Sequence, residues 1–311
     1  MDKRPIIIDC DTGTDDAIAI ISALYSPELE VRALTTVAGN STLENTSRNT
    51  INLVRHLGFD TPVAIGASEP ILRKSHFLPE DYVHGETGLG ELVLPDTKDP
   101  FLEKTAVEII YSEALKCGGN LELIPIGPLT NIAHAICVYP DLKKLVKQIV
   151  FMGGAMYGGN ATTSAEFNVW ADPEAARIVF ASGIPLTMVG LDVTEKAMLN
   201  REDEATIKSN HSKAAQVTAE LLRFMLDRFD GGGEDALMHD ALAVAVCIDP
   251  SVVELKEYFV DCECKGEYTS GHTFVAATNL FKKEPNCRVA VNLDLPKFKQ
   301  WLHGTLKASE I

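Results

Sequence analysis

Four aspartates fall within eight residues in Asp9-Cys10-Asp11-Thr12-Gly13-Thr14-Asp15-Asp16, directly after the apolar run Ile6-Ile7-Ile8. Carboxylates crowded this way repel one another, so a folded chain tolerates them when a cation sits among them. Oxygen-only ligands suit a hard cation, Ca2+ or Mg2+, better than zinc. Gly13 permits a tight turn between strand and helix. An acidic helix N-terminus favoured by the macrodipole accounts for Asp15 and Asp16. It does not account for Asp9 and Asp11 at the end of an apolar strand.

Further polar groups follow other apolar runs. Gly39-Asn40, Gly127-Pro128-Leu129-Thr130-Asn131, Gly153-Gly154 leading to Asn160, Glu166 and Asn168, and Gly190-Leu191-Asp192 each stand where a strand is expected to end. Singly these are ordinary turn residues. Together they point to one crevice outside the carboxyl ends of an open sheet. His84-Gly85-Glu86-Thr87-Gly88-Leu89-Gly90 lies in a long polar stretch from Gly66 to Pro100, and long irregular stretches in compact domains are commonly functional or disordered. Met238-His239-Asp240, at the head of a helical pattern, reads by itself as an N-terminal charge beside a surface histidine. The six other histidines have no comparable setting.

The elements that position these groups alternate. Short β-rich runs lie near Pro5–Asp9, Val31–Val37, Pro62–Ile65, Leu121–Ile126, Lys147–Met152 and Pro185–Val189. Amphipathic stretches lie between them near Asp15–Tyr25, Leu43–Leu57, Phe101–Lys116, Leu129–Val138 and Pro173–Ser182. This alternation predicts an α/β fold: an open, mainly parallel β-sheet with helices on both faces, a Rossmann-like core. Helical patterns at Asn200–Asn210 and His211–Phe229, the break Gly231-Gly232-Gly233, and a helix over Met238–Cys247 form a helical elaboration. A few C-terminal strands, near Tyr258–Cys264, His272–Thr278 and Cys287–Val291, precede a last helix, Leu295–Leu306. Residues 1–311 read as one domain, with no internal repeat and no linker.

The charge balance excludes some partners. The 311 residues carry 28 Lys and Arg against 44 Asp and Glu, a net charge of −16, with the basic residues scattered. A phosphate-tracking groove needs a basic stripe, so no polymeric nucleic-acid partner and no anionic membrane surface are expected. A neutral or cationic small molecule suits this field better than a nucleotide. Seven irregularly spaced cysteines read as reduced, mostly buried thiols of a cytoplasmic protein, and Cys262-Glu263-Cys264 lacks a zinc-knuckle spacing. Neither a signal-peptide h-region nor a run of about 18 uncharged apolar residues is present.

Together these residues resemble the inosine–uridine nucleoside hydrolase family. The start Asp9 to Asp16 is similar to its N-terminal fingerprint. The similarity continues through Val37-Ala38-Gly39-Asn40, His84-Gly85-Glu86, Gly127 to Asn131, Asn160 with Glu166-Phe167-Asn168, and His239-Asp240, in the expected order. The resemblance implies a calcium-dependent nucleoside N-ribohydrolase of nucleoside salvage, expected as a homodimer or homotetramer and taking small-molecule ribonucleosides. It implies that Asp11, Asp16, the Ile126 carbonyl and Asp240 bind Ca2+, and that Asp11 is general base on a calcium-bound water. Asp15, Asn40, Asn160, Glu166 and Asn168 would hold the ribose, and His84 would lie near the base. The family often has threonine where Ile126 stands, but a carbonyl ligand is indifferent to side chain. Cleaving the bond passes through an oxocarbenium-like sugar that carboxylates stabilise. The base leaves poorly as an anion, and His239, with an ordinary pKa of about 6.5, is the natural proton donor.

One stretch departs from the pattern. Relatives place tyrosines on the helix before the glycine-rich loop, whereas this chain reads Arg223-Phe224-Met225-Leu226-Asp227-Arg228-Phe229. Phe224 or Phe229 could stack on a base but cannot donate a proton. Trp170 and Trp301 lie outside the stacking positions of purine-specific relatives. The base preference is therefore left open. Two other readings compete. A Mg2+-dependent phosphotransferase with an aspartate nucleophile would suit Asp9 and Asp11 but gives Asn160, Glu166 and Asn168 no role. A non-catalytic calcium or nucleoside-binding module needs the ligands but not His239.

Overall fold

The computed structural model describes residues 3–74, 83–228, 235–278, 280 and 282–308. The chain runs through β1 (Arg4–Cys10), α1 (Thr14–Tyr25), β2 (Leu29–Thr36), α2 (Leu43–His56), β3 (Val63–Ile65), α3 (Ala106–Cys117) and β4 (Leu121–Pro125). It continues with α4 (Thr130–Val138), β5 (Val146–Met152), α5 (Phe167–Ala171), α6 (Pro173–Phe180), β6 (Leu186–Val189), α7 (Leu191–Thr194) and β7 (Met198–Leu199). The last part holds α8 (Arg201–Lys208), α9 (Lys213–Asp227), β8 (Ala236–Leu237), α10 (His239–Ile248), β9 (Val253–Tyr258), β10 (Val260–Cys262), β11 (Thr273–Val275), β12 (Cys287–Leu293) and α11 (Leu295–Ala308).

Eight strands form one sheet in the order β3-β2-β1-β4-β5-β6-β12-β9. All neighbouring pairs are parallel except β12 with β9. β1 shows why the sheet is covered on both sides. Ile6 and Ile8 pack in one core with residues of α1, α2, α9, α10 and α11, while Ile7 packs in the other with residues of α3, α4 and α6. Side chains alternate faces along a strand, so a continuous apolar run needs two covered faces.

The order reverses between β1 and β4, which lie side by side with Asp9 opposite Pro125. In open α/β sheets the crevice at such a reversal is where ligands bind. α1 and α10 then bring their first turns, carrying Asp15, Asp16 and Asp240, to that crevice. Both helices are apolar nearly all round and pack on each other, as expected for helices buried on every side.

Three details differ from the sequence expectations. α3 begins at Ala106, not near Phe101, because Thr105 accepts from Glu108 N and the Glu108 side chain accepts from Thr105 N, a capping box that sets the start. The strand expected near Tyr258–Cys264 is β10, which pairs with β11 in a separate hairpin, and the strand before it, β9, is an unanticipated antiparallel edge of the main sheet. The stretch holding Glu166 and Asn168, which the sequence pattern assigns to neither strand nor helix, contains the short helix α5. Phe229, Gly231-Gly232-Gly233, His76 and part of the polar stretch before Pro100 lie outside the described residues. No described helix is long and apolar enough to cross a membrane.

Candidate active site

Asp11 follows the last residue of β1 and is fully buried. Its Oδ2 accepts the Asn40 backbone N–H at 2.6 Å. Its Oδ1 is buried without a hydrogen-bond partner. Gly39 and Gly127 wall the carboxylate closely, and a Cβ on either would collide with it. These positions are glycine because a side chain of the crevice fills the space a Cβ would need, not because the backbone turns unusually.

Asp16, at the third position of α1, turns back on the strand end. Its Oδ2 accepts Gly13 N–H at 3.0 Å and the Asn40 side-chain amide at 2.9 Å, and its Oδ1 accepts Asp11 N–H at 3.2 Å. Asp15, Asp16 and Asp240 each offer a carboxylate oxygen within 4.8 Å of the others. Among the described residues this is the group of acidic side chains arranged to hold a metal ion. Asp11 adjoins it through Asp16. Of the four aspartates in the N-terminal run, Asp15 and Asp16 thus join Asp240 in this group and Asp11 adjoins it, whereas Asp9, expected among them, is held instead by Thr35 and Asn131.

The crowded carboxylates shift one another's protonation. Burial first, and Asp16 second, push the Asp11 carboxyl well above its ordinary range. Burial and then Asp16 raise Asp15 to about 7, and burial raises Asp16 itself. Asp240 is raised well above its ordinary value by burial and then by Asp15, Asp16 and Asp11. No described lysine or arginine forms an ion pair with any of them, and His84, whose Nδ1 is 3.9 Å from Asp15, is kept uncharged by burial. Buried carboxylates need a partner or a metal. An orphaned Asp11 oxygen, an oxygen-only donor set and mutual repulsion fit a hard divalent cation.

Ile126 follows β4 and takes its place through its N–H, which donates to Asp9 O at 2.8 Å. The Asn168 amide donates to the Ile126 carbonyl at 2.9 Å. Glu166 caps α5: Oε1 accepts Asn168 N–H at 2.9 Å, and Oε2 accepts Gly154 N–H at 2.7 Å and Val169 N–H at 3.2 Å. Burial raises its pKa while those three N–H groups oppose the shift. Asn160 is exposed, and its Oδ1 accepts Phe167 N–H at 2.8 Å. The structure therefore joins Asn160, Glu166, Asn168 and Ile126 through one short helix.

On the other side, His84 Nδ1 receives Thr14 N–H at 3.1 Å and lies 2.9 Å from the Thr14 hydroxyl. Burial, then Arg228 and His239, lower its pKa to about 3. Burial lowers His239 to about 4, and its Nδ1 lies 2.8 Å from the Thr194 hydroxyl. The Phe224 ring lies against Gly90, leaving no room for a side chain there.

Sequence reasoning missed the supports. Thr35 and Asn131 both donate to Asp9 Oδ1, at 2.5 and 2.8 Å, and Asn131 also reaches Thr36 O and Ala67 N–H. Asn131 stood inside a noted run, so its position carried a signal but its role did not. Thr14 likewise stood inside a noted run without a visible role, and Thr194 had no signal, since only the folded chain brings them to histidines 70 and 45 residues away.

Residues 6–300 match the family model described as inosine-uridine preferring nucleoside hydrolase. The chain is 41% identical over 307 residues to the pyrimidine-specific ribonucleoside hydrolase RihA of Escherichia coli O81 (strain ED1a), covering 97% of this chain and 98% of that one. A purine-preferring ribonucleoside hydrolase from Gardnerella vaginalis superposes with a TM-score of 0.91 at 34% identity, over 98% of this chain and 99% of the other. A plant nucleoside hydrolase does so with a TM-score of 0.92 at 28% identity and the same coverage.

Proposed function

The chain belongs to the inosine-uridine preferring nucleoside hydrolase family and is a ribonucleoside hydrolase, and we propose that it cleaves pyrimidine ribonucleosides by a calcium-dependent route with Asp11 as general base and His239 serving the departing base. The observation that carries this reading is the convergence of buried Asp11, Asp15, Asp16 and Asp240 with no described cationic partner and one free oxygen on Asp11. The pyrimidine preference is supported by the 41% identical relative, whose name states that specificity. The purine-preferring relative at 34% identity supplies the second reading.

Asp11, Asp16, the Ile126 carbonyl and Asp240 would hold the ion, with Asp15 close enough to join them. Bound there, calcium supplies Lewis acidity and cancels the repulsion among the carboxylates. Asn40 N–H holds Asp11 Oδ2, so Oδ1 is the oxygen left to take a proton from the attacking water. Asp15, Asn40, Asn160, Glu166 and Asn168 would bind the ribose hydroxyls and orient the anomeric carbon. Positive charge develops on the sugar as the N-glycosidic bond stretches, and the fixed carboxylates favour that charge.

At the far side of that bond the base departs with an electron pair. His239 is held near 4 by burial, so at neutral pH it faces the base uncharged. It acts as a hydrogen-bond donor whose proton moves only as negative charge grows on the base. His84 is uncharged for the same reason and can donate but not act as a standing acid.

The test is ribose release, measured as reducing sugar, from uridine, cytidine, inosine, adenosine and guanosine. Higher specificity constants for uridine and cytidine are expected. Preference for inosine or guanosine would favour the purine reading, and release from none of the five would refute the assignment.

A further inference from the structure

We propose that Thr194, whose hydroxyl lies 2.8 Å from His239 Nδ1, fixes the His239 ring in the tautomer that carries its proton on Nε2, and is therefore a positioning residue for departure of the base. The inference rests on the reading of His239 given above.

Both partners are held in place by backbone. Thr194 ends α7, is fully buried, and donates its N–H to Gly190 O at 3.1 Å, while Leu191 N–H donates to Gly154 O at 3.0 Å. Met238 N–H donates to Ala197 O at 2.8 Å, which ties the residue before His239 to the segment after α7. The hydroxyl and the ring are thus brought together by α7 and α10, which pack on each other.

A hydroxyl has one hydrogen and two lone pairs. Among the described residues the Thr194 hydroxyl has no other hydrogen-bond partner. If His239 kept its proton on Nδ1, the threonine hydrogen would be buried without an acceptor, which is costly. If the hydroxyl donates to Nδ1, nothing is left unpaired and the ring proton lies on Nε2.

His84 offers an internal comparison. Its Nδ1 faces a backbone N–H, which can only donate, so that nitrogen is bare and Nε2 carries the proton. Threonines therefore hold both histidines of the site at Nδ1, and each presents Nε2–H. A donor at Nε2 lowers the energy of charge appearing on the departing base. The other tautomer would present a lone pair and oppose it.

Calcium-saturated protein labelled with 15N-histidine reports the tautomer directly. Wild type should show His239 protonated at Nε2 and bare at Nδ1. Thr194→Val should shift that population and lower kcat for uridine at least about tenfold, with KM little changed. A nitrophenyl riboside, whose leaving group needs no donor, should be slowed far less. Thr194→Ser should restore both the 15N signature and uridine turnover. Wild-type tautomer and uridine rate in Thr194→Val would overturn the inference. So would equal loss on both substrates that Thr194→Ser fails to restore. His239→Ala separates the two levels: if it spares uridine turnover, the reading of His239 itself falls. If it loses uridine selectively while Thr194→Val does not, only the role of Thr194 falls.

Discussion

At the scale of single residues, Asp11 is the most informative group, because its two oxygens have different neighbours. Asn40 N–H occupies Oδ2, and Oδ1 has no partner. Asp11→Asn keeps the shape and removes the basic oxygen and a negative charge. Turnover of uridine should fall by ~10²–10⁴-fold, the range for loss of an acid–base group, and the calcium needed for half-activity should rise. Steady-state kinetics over a calcium series checks both, and unchanged turnover would remove Asp11 from the base role. Gly39→Ala should produce a similar defect from outside the reacting groups, since a Cβ there would strike the Asp11 carboxylate. A normal rate in that variant would show the carboxylate free to move. The acidic residues were legible in the sequence because their types and crowding are themselves the signal. Thr14, Thr35 and Thr194 were not, since threonine is ordinary at any position until the fold supplies its partner.

At the scale of elements, the crevice depends on how β1, β2, β4 and the two apolar helices meet. Asn131, near the start of α4, bridges Asp9 of β1, the Thr36 carbonyl of β2 and Ala67 N–H. Asn131→Ala would leave Asp9 with one carboxylate donor fewer and a carbonyl and an N–H unpaired. Unpaired buried polar groups typically cost about 1–3 kcal/mol, so a drop in unfolding free energy of that size is expected by urea titration. No change would mean that water replaces the amide. The parallel strands and their order of helices could be read from apolar runs because a sheet covered on both faces makes such runs. β9 escaped for the opposite reason. Val253-Glu254-Leu255-Lys256 alternates apolar with charged residues and a further charge, Glu257, follows, as suits an edge strand, and a search for buried runs passes over it. α5 escaped because five residues are too few to show a helical period, and its start is set by Glu166 acting as a cap.

At the scale of the whole molecule, the net charge of −16 and the buried carboxylates act together. Nucleoside 5′-monophosphates should be cleaved much more slowly than nucleosides, because the crevice is acidic and no described lysine or arginine pairs with its carboxylates. Equal specificity constants for uridine and its 5′-monophosphate would contradict this. Metal-free protein should also respond to pH in a definite direction. Asp9 and Asp15 are raised from 3.8 to about 7 by burial, so the folded state binds more protons than the unfolded state between those values. Stability is then full below about pH 4 for these groups and is lost as pH rises through 7. Thermal melts of chelated protein should move down between about pH 4 and 7, and calcium should reverse the part of the loss that Asp15 contributes. An upward shift with pH would mean that the carboxylates find another partner. The measurement that bears most directly on the central claim is ribose release from uridine by exhaustively chelated protein, followed by titration with Ca2+. The account predicts negligible release before titration and saturable recovery with one calcium per chain, together with a failure of Asp240→Asn to recover at the same concentrations. Full activity after chelation, or recovery in Asp240→Asn indistinguishable from wild type, would contradict it.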